Sequence, residues 1–255
     1  MEKPRNNSRY KAVGLHANGF SLLKAQPDGS FLLSNHKNAS FTTLLRECGI
    51  FFGEGPHDVR VVVNPMAPVL VPDEIFEEPA AQFLKIQAEL SDNDIVMKDE
   101  WDGYEALYPV HAGRTDQLRQ AGITPFYQHS TTVLGRYLQL NGSDTPHRML
   151  LFFHGTTAES ILFCYNRLVL VSGFRFTTSD EVVYHVANIL KQHEIEPDEC
   201  HLLFGGELPE AKKTFDFVNQ YFPDMDWAGD RLPVTVRTAE GKEVAAHTVL
   251  NLLPF

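Results

Sequence analysis

Positive charge is what this chain has least of. Lysine and arginine number 22 against 33 aspartates and glutamates, a formal net charge of −11, and no basic run interrupts the deficit. Nucleic acids and anionic lipid surfaces attract cations, so both are disfavoured as partners. Long apolar runs are missing too. Nowhere do about 18 apolar residues follow one another, the length of a bilayer-spanning helix, and Met1 to Asn7 lead into no hydrophobic targeting segment. The expectation is a cytoplasmic protein with no membrane insertion. The three cysteines, Cys48, Cys164 and Cys200, are too few for a disulfide framework and read as core packing. Low-complexity sequence is absent. The remainder, 43% hydrophobic and 22% charged over 255 residues, is the make-up of a globular protein of one large or two small domains.

Familiar catalytic signatures are lacking as well. There is no Gly-x-Ser-x-Gly elbow, no phosphate-cradling Gly-x-x-x-x-Gly-Lys and no Cys-x-x-Cys pair. Among the 11 histidines none stands at metal-ligand spacing with a partner, and His185 and His193 read as the solvated side of a helix. Cys200-His201 lies in a strand pattern, where neighbours point to opposite faces, so it makes no dyad. The carboxylate pairs Asp73-Glu74 and Asp180-Glu181 sit where helices begin and where the helix dipole favours acids.

What is present centres on His147 to Phe222. Met149 to Phe153 is an unbroken apolar run, the pattern of a strand covered on both faces. It stops at His154-Gly155-Thr156-Thr157. Apolar runs at Ile161–Tyr165 and Leu168–Val171, joined through Asn166-Arg167, complete a three-strand meander. Thr178 to Glu181 has capping-box spacing and opens a helix with Val183, Val186, Ala187 and Leu190 on one side. Cys200 to Phe204 is a further buried strand ending at Gly205-Gly206, and a last helix carries Ala211, Phe215, Val218 and Phe222 before Pro223.

The same order occurs earlier. Strands are expected at Tyr10–His16, Phe20–Ala25 and Phe31–Ser34, a helix from Ser40 to Phe52 and a strand at Val59–Val63. The first strands end 138 residues apart, at His16 and His154, and the fourth strands 141 apart, at Asn64 and Gly205. Near-constant offset indicates an internal duplication. Residues 1–145 then form a first lobe with a mixed region, 66–140, inserted, and 146–255 a second lobe, with the boundary in the linker Asn141–Pro146. In the inserted region a helix is expected from Val71 to Leu90, strands at Ile95–Met97, Tyr104–His111 and Thr124–Gln128, and helices at Arg114–Ala121 and Thr131–Leu140. Beyond Pro223 only Val234–Arg237 reads as a strand and Val249–Leu253 as an apolar segment able to dock on the core.

A duplicated unit of meander, helix, strand and helix resembles the actin, sugar-kinase and heat-shock-chaperone superfamily, and the second copy is similar to the pilus-assembly protein PilM. The whole chain resembles a bacterial family of unknown function in that superfamily, through Val71-Pro72-Asp73-Glu74-Ile75-Phe76, Gly173-Phe174-Arg175-Phe176, Asp180-Glu181-Val182-Val183-Tyr184 and Leu203-Phe204-Gly205-Gly206. The resemblance implies an α/β, ribonuclease H-like, actin-like ATPase fold of two lobes. In active members each first strand ends on an acidic residue that holds Mg²⁺ against nucleotide phosphates. This sequence departs at both places: the loops carry His16, Asn18 and Gly19 in the first copy and His154, Gly155, Thr156 and Thr157 in the second. Imidazole suits softer metals. Gly155 still offers backbone N–H groups to a phosphate, and Gly205-Gly206 stands where the superfamily's adenosine motif falls, although tight turns select glycine anyway.

The leading expectation is therefore a pseudoenzyme without cofactor or metal, used as a protein-binding or scaffolding module. The alternative is an ATP/Mg-dependent small-molecule kinase or ATPase whose acids come from elsewhere, such as Asp73, Glu100 or Asp102. Partners are expected to be proteins, self-association included. Trp101 and Tyr104, and Trp227 among Asp224 and Asp226, are the aromatic residues expected to meet water and form that surface.

Overall fold

The structure is a computed structural model that describes residues 9–16, 19–53, 55–64, 67–76, 79–85, 90–141 and 145–255. The first three apolar runs form an antiparallel meander, β1 (Lys11–His16), β2 (Gly19–Ala25) and β3 (Phe31–Lys37). Asp28 shapes the second turn: its Oδ1 accepts from Ser30 N at 2.9 Å and from Ser30 Oγ at 2.6 Å. α1 (Phe41–Phe52) starts at Ser40, whose hydroxyl accepts from Thr43 N at 3.2 Å. It lays Leu44, Cys48 and Phe52 into the core formed with Val13, Leu22, Val59 and Val61. β4 (His57–Val63) returns parallel to β1.

The inserted region departs from expectation at its start. Instead of one helix from Val71 to Leu90 there are β5 (Val69–Pro72), a single 3-10 turn at Asp73–Ile75 and a short α2 (Ala81–Leu84); residues 77–78 and 86–89 lie outside the described residues. The chain stays extended because Val69 to Pro72 pair with Leu107 to Tyr104, burying Val69 and Val71 beside Leu84 and Leu107. β6 (Asp94–Trp101) and β7 (Tyr104–His111) complete a three-stranded sheet in the order β5-β7-β6. α3 (Ala112–Gln120), β8 (Ile123–His129), which lies parallel to β4, and α4 (Ser130–Leu140) follow.

The second meander is β9 (His147–His154), β10 (Thr157–Cys164) and β11 (Arg167–Arg175). Residues 149–153 of β9 are all buried, as the unbroken apolar run implied, and Arg148 before them is buried as well. α5 (Ser179–Gln192) is capped by Thr178 Oγ1, which accepts from Glu181 N, while the Glu181 carboxylate reaches back to Thr177 N at 2.6 Å. These bonds hold Glu181 below the usual carboxylate range. β12 (Cys200–Glu207) runs parallel to β9, and α6 (Ala211–Val218) and β13 (Met225–Trp227) follow. Met149, Leu151, Phe153, Val182, Val186, Leu202 and Phe204 form the centre of this core. His185 is not simply solvated; its ring stacks on Phe174 at 4.3 Å.

The tail, whose pattern was weak beyond Pro223, adds β14 (Val236–Thr238) in parallel to the outer side of β3, and β15 (Glu243–Val244) beyond it. The larger sheets therefore run β15-β14-β3-β2-β1-β4-β8 and β11-β10-β9-β12-β13. Leu252 and Leu253 are buried, and their carbonyls accept from Tyr10 OH at 2.7 Å and Arg60 Nη1 at 3.1 Å. The chain divides into two compact units. Of the described residues, one takes in those from 9 to 133 with 233–244 and 251–255, the other those of 134–232 and 245–250. Among the described residues no helix is long and apolar enough to cross a membrane.

Candidate functional site

The two strand ends singled out in the sequence are built alike. His16 closes β1 opposite Gly19, and its Nε2 lies 2.9 Å from Ser21 Oγ on β2. His154 closes β9 opposite Thr157, and its Nε2 lies 2.9 Å from Glu159 Oε1 on β10. Each imidazole thus bonds the residue five positions on, across its own hairpin. Glu159 is buried to 4% exposure, so its bond with His154 is a second-copy version made in a drier setting. Asn18 lies outside the described residues. Gly19 has φ +136°, and a Cβ there would fall 2.0 Å from His36 O; close approach to β3 accounts for the glycine.

The second loop uses its own polar groups. Gly155, at φ +69°, donates its N–H to Glu207 O at 2.8 Å. Thr157 Oγ1 donates to His154 O at 3.2 Å, and Thr156 O accepts from Phe176 N at 3.0 Å. Gly206 has φ +89°, with Phe153 O only 2.2 Å from where a Cβ would be; a Cβ on Gly205 would fall 3.2 Å from His247 O and 3.3 Å from Ala228 Cβ. The chain's own atoms fill the space beside Gly205 and Gly206, whereas a Cβ at Gly155 would meet nothing within 4 Å.

Asp73 and Asp102 gather at one end of the three-stranded sheet, since Asp73 N donates to Gly103 O at 3.0 Å in the β6–β7 turn, and Glu100 precedes that turn opposite Glu105. Among the described residues no three His, Cys, Asp or Glu side chains are arranged to hold a metal.

The aromatic positions divide. Trp101 is 4% exposed, which corrects the expectation that its acidic neighbours bring it to water. Strand alternation turns Asp99 and Trp101 inward together, and Asp99 is satisfied there: Oδ1 accepts from Tyr108 OH at 2.9 Å and Oδ2 from His129 N at 2.8 Å. Tyr104 is half-buried across from Trp101. Trp227 is also half-buried, sandwiched between the rings of Phe215 at 4.4 Å and His247 at 4.5 Å, so neither face is open. Burial holds the His247 imidazole below its ordinary pKa.

Beside Trp227 is a depression of about 490 Å³ bordered by Tyr137, His201, Asp226 and Arg231. His201 Nδ1 lies 2.8 Å from Asp224 and its Nε2 3.8 Å from Asp226, which also takes Arg231 at 3.1 Å. Sequence reasoning missed this group. Its signal was the Asp224-x-Asp226 alternation of a strand too short to stand out.

No curated protein sequence matches the chain. Solved structures do. A protein of unknown function with actin-like ATPase fold from Bacteroides thetaiotaomicron superposes with a TM-score of 0.72 at 16% identity, over 88% of this chain and 93% of that one. A PilM–PilN type IV pilus biogenesis complex gives 0.58 at 10% identity, over 89% and 90%. The ethanolamine utilization protein EutJ from Carboxydothermus hydrogenoformans gives 0.50 at 7% identity, over 99% and 91%. At such identities the likeness concerns the fold, and the duplicated meander is accounted for as an actin-like ATPase fold. A family model matches residues 52–225, from the end of α1 to β13. With more than half of its length so matched, the chain belongs to the family described as "Protein of unknown function (DUF3822)".

Proposed function

We propose that this chain is a catalytically silent member of the actin-like fold that works in the cytoplasm by binding another protein, without nucleotide or metal. The observation that carries the reading is the fate of the second loop. His154 stands where phosphoryl transfer needs a hard oxygen ligand for Mg²⁺ and is bonded to Glu159, while the Gly155 N–H is already donated to Glu207 O. The first copy repeats the histidine with Ser21. A side chain at Gly205 or Gly206 would press against the chain's own atoms, which accounts for both glycines without an adenosine. The binding half of the reading draws on the similar fold of PilM, a protein seen in complex with PilN, and is a fold-level analogy.

The test is thermal denaturation with and without Mg-ATP, alongside a phosphate-release assay. Unchanged melting and no turnover are expected. A saturable stabilisation, or Mg-dependent turnover that disappears in Asp73→Asn or Asp102→Asn, overturns the proposal in favour of a kinase or ATPase with displaced acids.

A further inference from the structure

The two meanders differ at their outer edges. In the first copy the third strand, β3, is covered by β14, which pairs in parallel through Val236↔Phe31, Arg237↔Leu32 and Thr238↔Leu33. Its counterpart β11 pairs with β10 on one side and, among the described residues, is the terminal strand of its sheet on the other. The remaining edges of the two larger sheets are blunted: β15 is 2 residues long, β13 is 3, and β8 carries Pro125, which lacks the donor that pairing requires. β11 has 9 residues and no proline. Its bulge, opposite the Leu162/Phe163 step, lies near one end and leaves Leu170 to Arg175 in regular register. Unpaired N–H and C=O groups on such an edge are a template for another strand.

Charge selects the occupant. Arg167 and Arg175 are both exposed at the ends of β11, and neither has an ion pair among the described residues. β11 itself carries no acid, although the chain as a whole carries net charge −11. A second copy is a poor fit. Antiparallel pairing of two β11 strands over their length sets Arg167 beside Arg175, in-register parallel pairing sets each arginine beside itself, and like charges across a strand pair destabilise it. We infer that β11 accepts an extended segment of a partner protein, added as β14 is added to β3, with carboxylates placed to meet Arg175 and Arg167. Gly173, exposed and without a side chain, leaves room for close approach. The overall negative charge does not prevent this, because exposed charges beyond about 8 Å are largely screened at physiological salt.

This inference rests on the binding role proposed above and names the surface that performs it. The experiment is a titration of the isotope-labelled full chain, followed by amide shifts, with three synthetic nonapeptides of alternating valine and threonine: one ended by aspartates, one ended by lysines, and the aspartate peptide N-methylated at alternate positions so that it cannot donate. The expected result is perturbation of β11 amides by the aspartate peptide, binding about fivefold tighter than the lysine peptide, loss with the N-methylated peptide, and reversal of the charge preference in Arg167→Glu/Arg175→Glu. Equal binding of all three peptides, no change at β11 at millimolar peptide, or a concentration-dependent dimer that disappears in the double variant each overturns it. Failure here with an unresponsive Mg-ATP melt removes β11 alone; a positive Mg-ATP melt removes the silent-module reading whatever the peptides do.

Discussion

His154 holds Glu159 across the β9–β10 hairpin at 2.9 Å, as His16 holds Ser21 across β1–β2 at the same distance. The pairs are equivalent in position and unequal in setting: the first histidine is exposed, whereas Glu159 is 4% exposed. Losing a partner costs most where the group left behind is dry. His154→Ala should cost about 1–3 kcal/mol, His16→Ala less than about 1 kcal/mol, and Glu159→Gln, which keeps an acceptor, less than His154→Ala. Urea unfolding of the three variants checks the order.

The glycines make a graded series. Gly206→Ala drives a Cβ to 2.2 Å from Phe153 O at positive φ, Gly205→Ala brings it to 3.2 Å from His247 O, and Gly155→Ala meets no neighbour yet sits at φ +69°. The expected destabilisation is above about 3 kcal/mol for Gly206, with Gly155 near about 1 kcal/mol and Gly205 of similar size. Equal, small effects would show that the backbone at Gly206 yields.

Alkaline pH should weaken the fold. Burial pushes Cys48 and Cys200 from the ordinary 9.0 up to about 12, and Tyr10 from 10.0 up to about 12. A group whose folded pKa exceeds its unfolded value contributes in full below the unfolded value and loses that contribution as pH rises toward the folded one. The urea midpoint should therefore hold near neutrality and fall steadily from about pH 9, with a shallower fall in Cys200→Ala. Native Cys48 and Cys200 should resist thiol reagents at neutral pH.

The Asp99 junction ties β6 to β7 and β8 through Tyr108 OH and His129 N. Asp99→Ala leaves both donors without that acceptor and should cost about 2–4 kcal/mol, more than Tyr108→Phe. Trp101→Ala, at a site 4% exposed, should cost about 3–5 kcal/mol. Loss of a binding partner by a fully stable Trp101→Ala variant would instead return that residue to the surface.

Much of this fold was legible in the sequence because its elements announce themselves locally. Met149 to Phe153 is apolar on both strand faces, Thr178 caps α5, and the order repeats at a nearly constant offset. The inserted region was harder. Asp73 and Glu74 look like the first turn of a helix, and only pairing of Val69–Pro72 with β7, a distant partner, keeps that stretch extended. Trp101 misled for a similar reason: acidic neighbours signal water only when their own partners are out of reach, and Tyr108 and His129 were not readable as partners of Asp99. At the candidate site the residue types were legible. That Gly155 N–H is donated to Glu207 O was not, since it depends on where β12 ends.

The cover on β3 also sets a clock. Val236 meets Phe31 across 205 intervening steps of chain, and every residue of β4 to β13 is synthesised between them. At about 5–20 residues per second, a nascent β3 waits on the order of 10 to 40 s for its neighbour. During that interval the first sheet ends in a bare strand at the ribosome. Contacts so distant in sequence also close slowly from the denatured state. Refolding should then show a late phase confined to β14 and β3, and a chaperone or another nascent chain has its best access to this protein before residue 236 emerges.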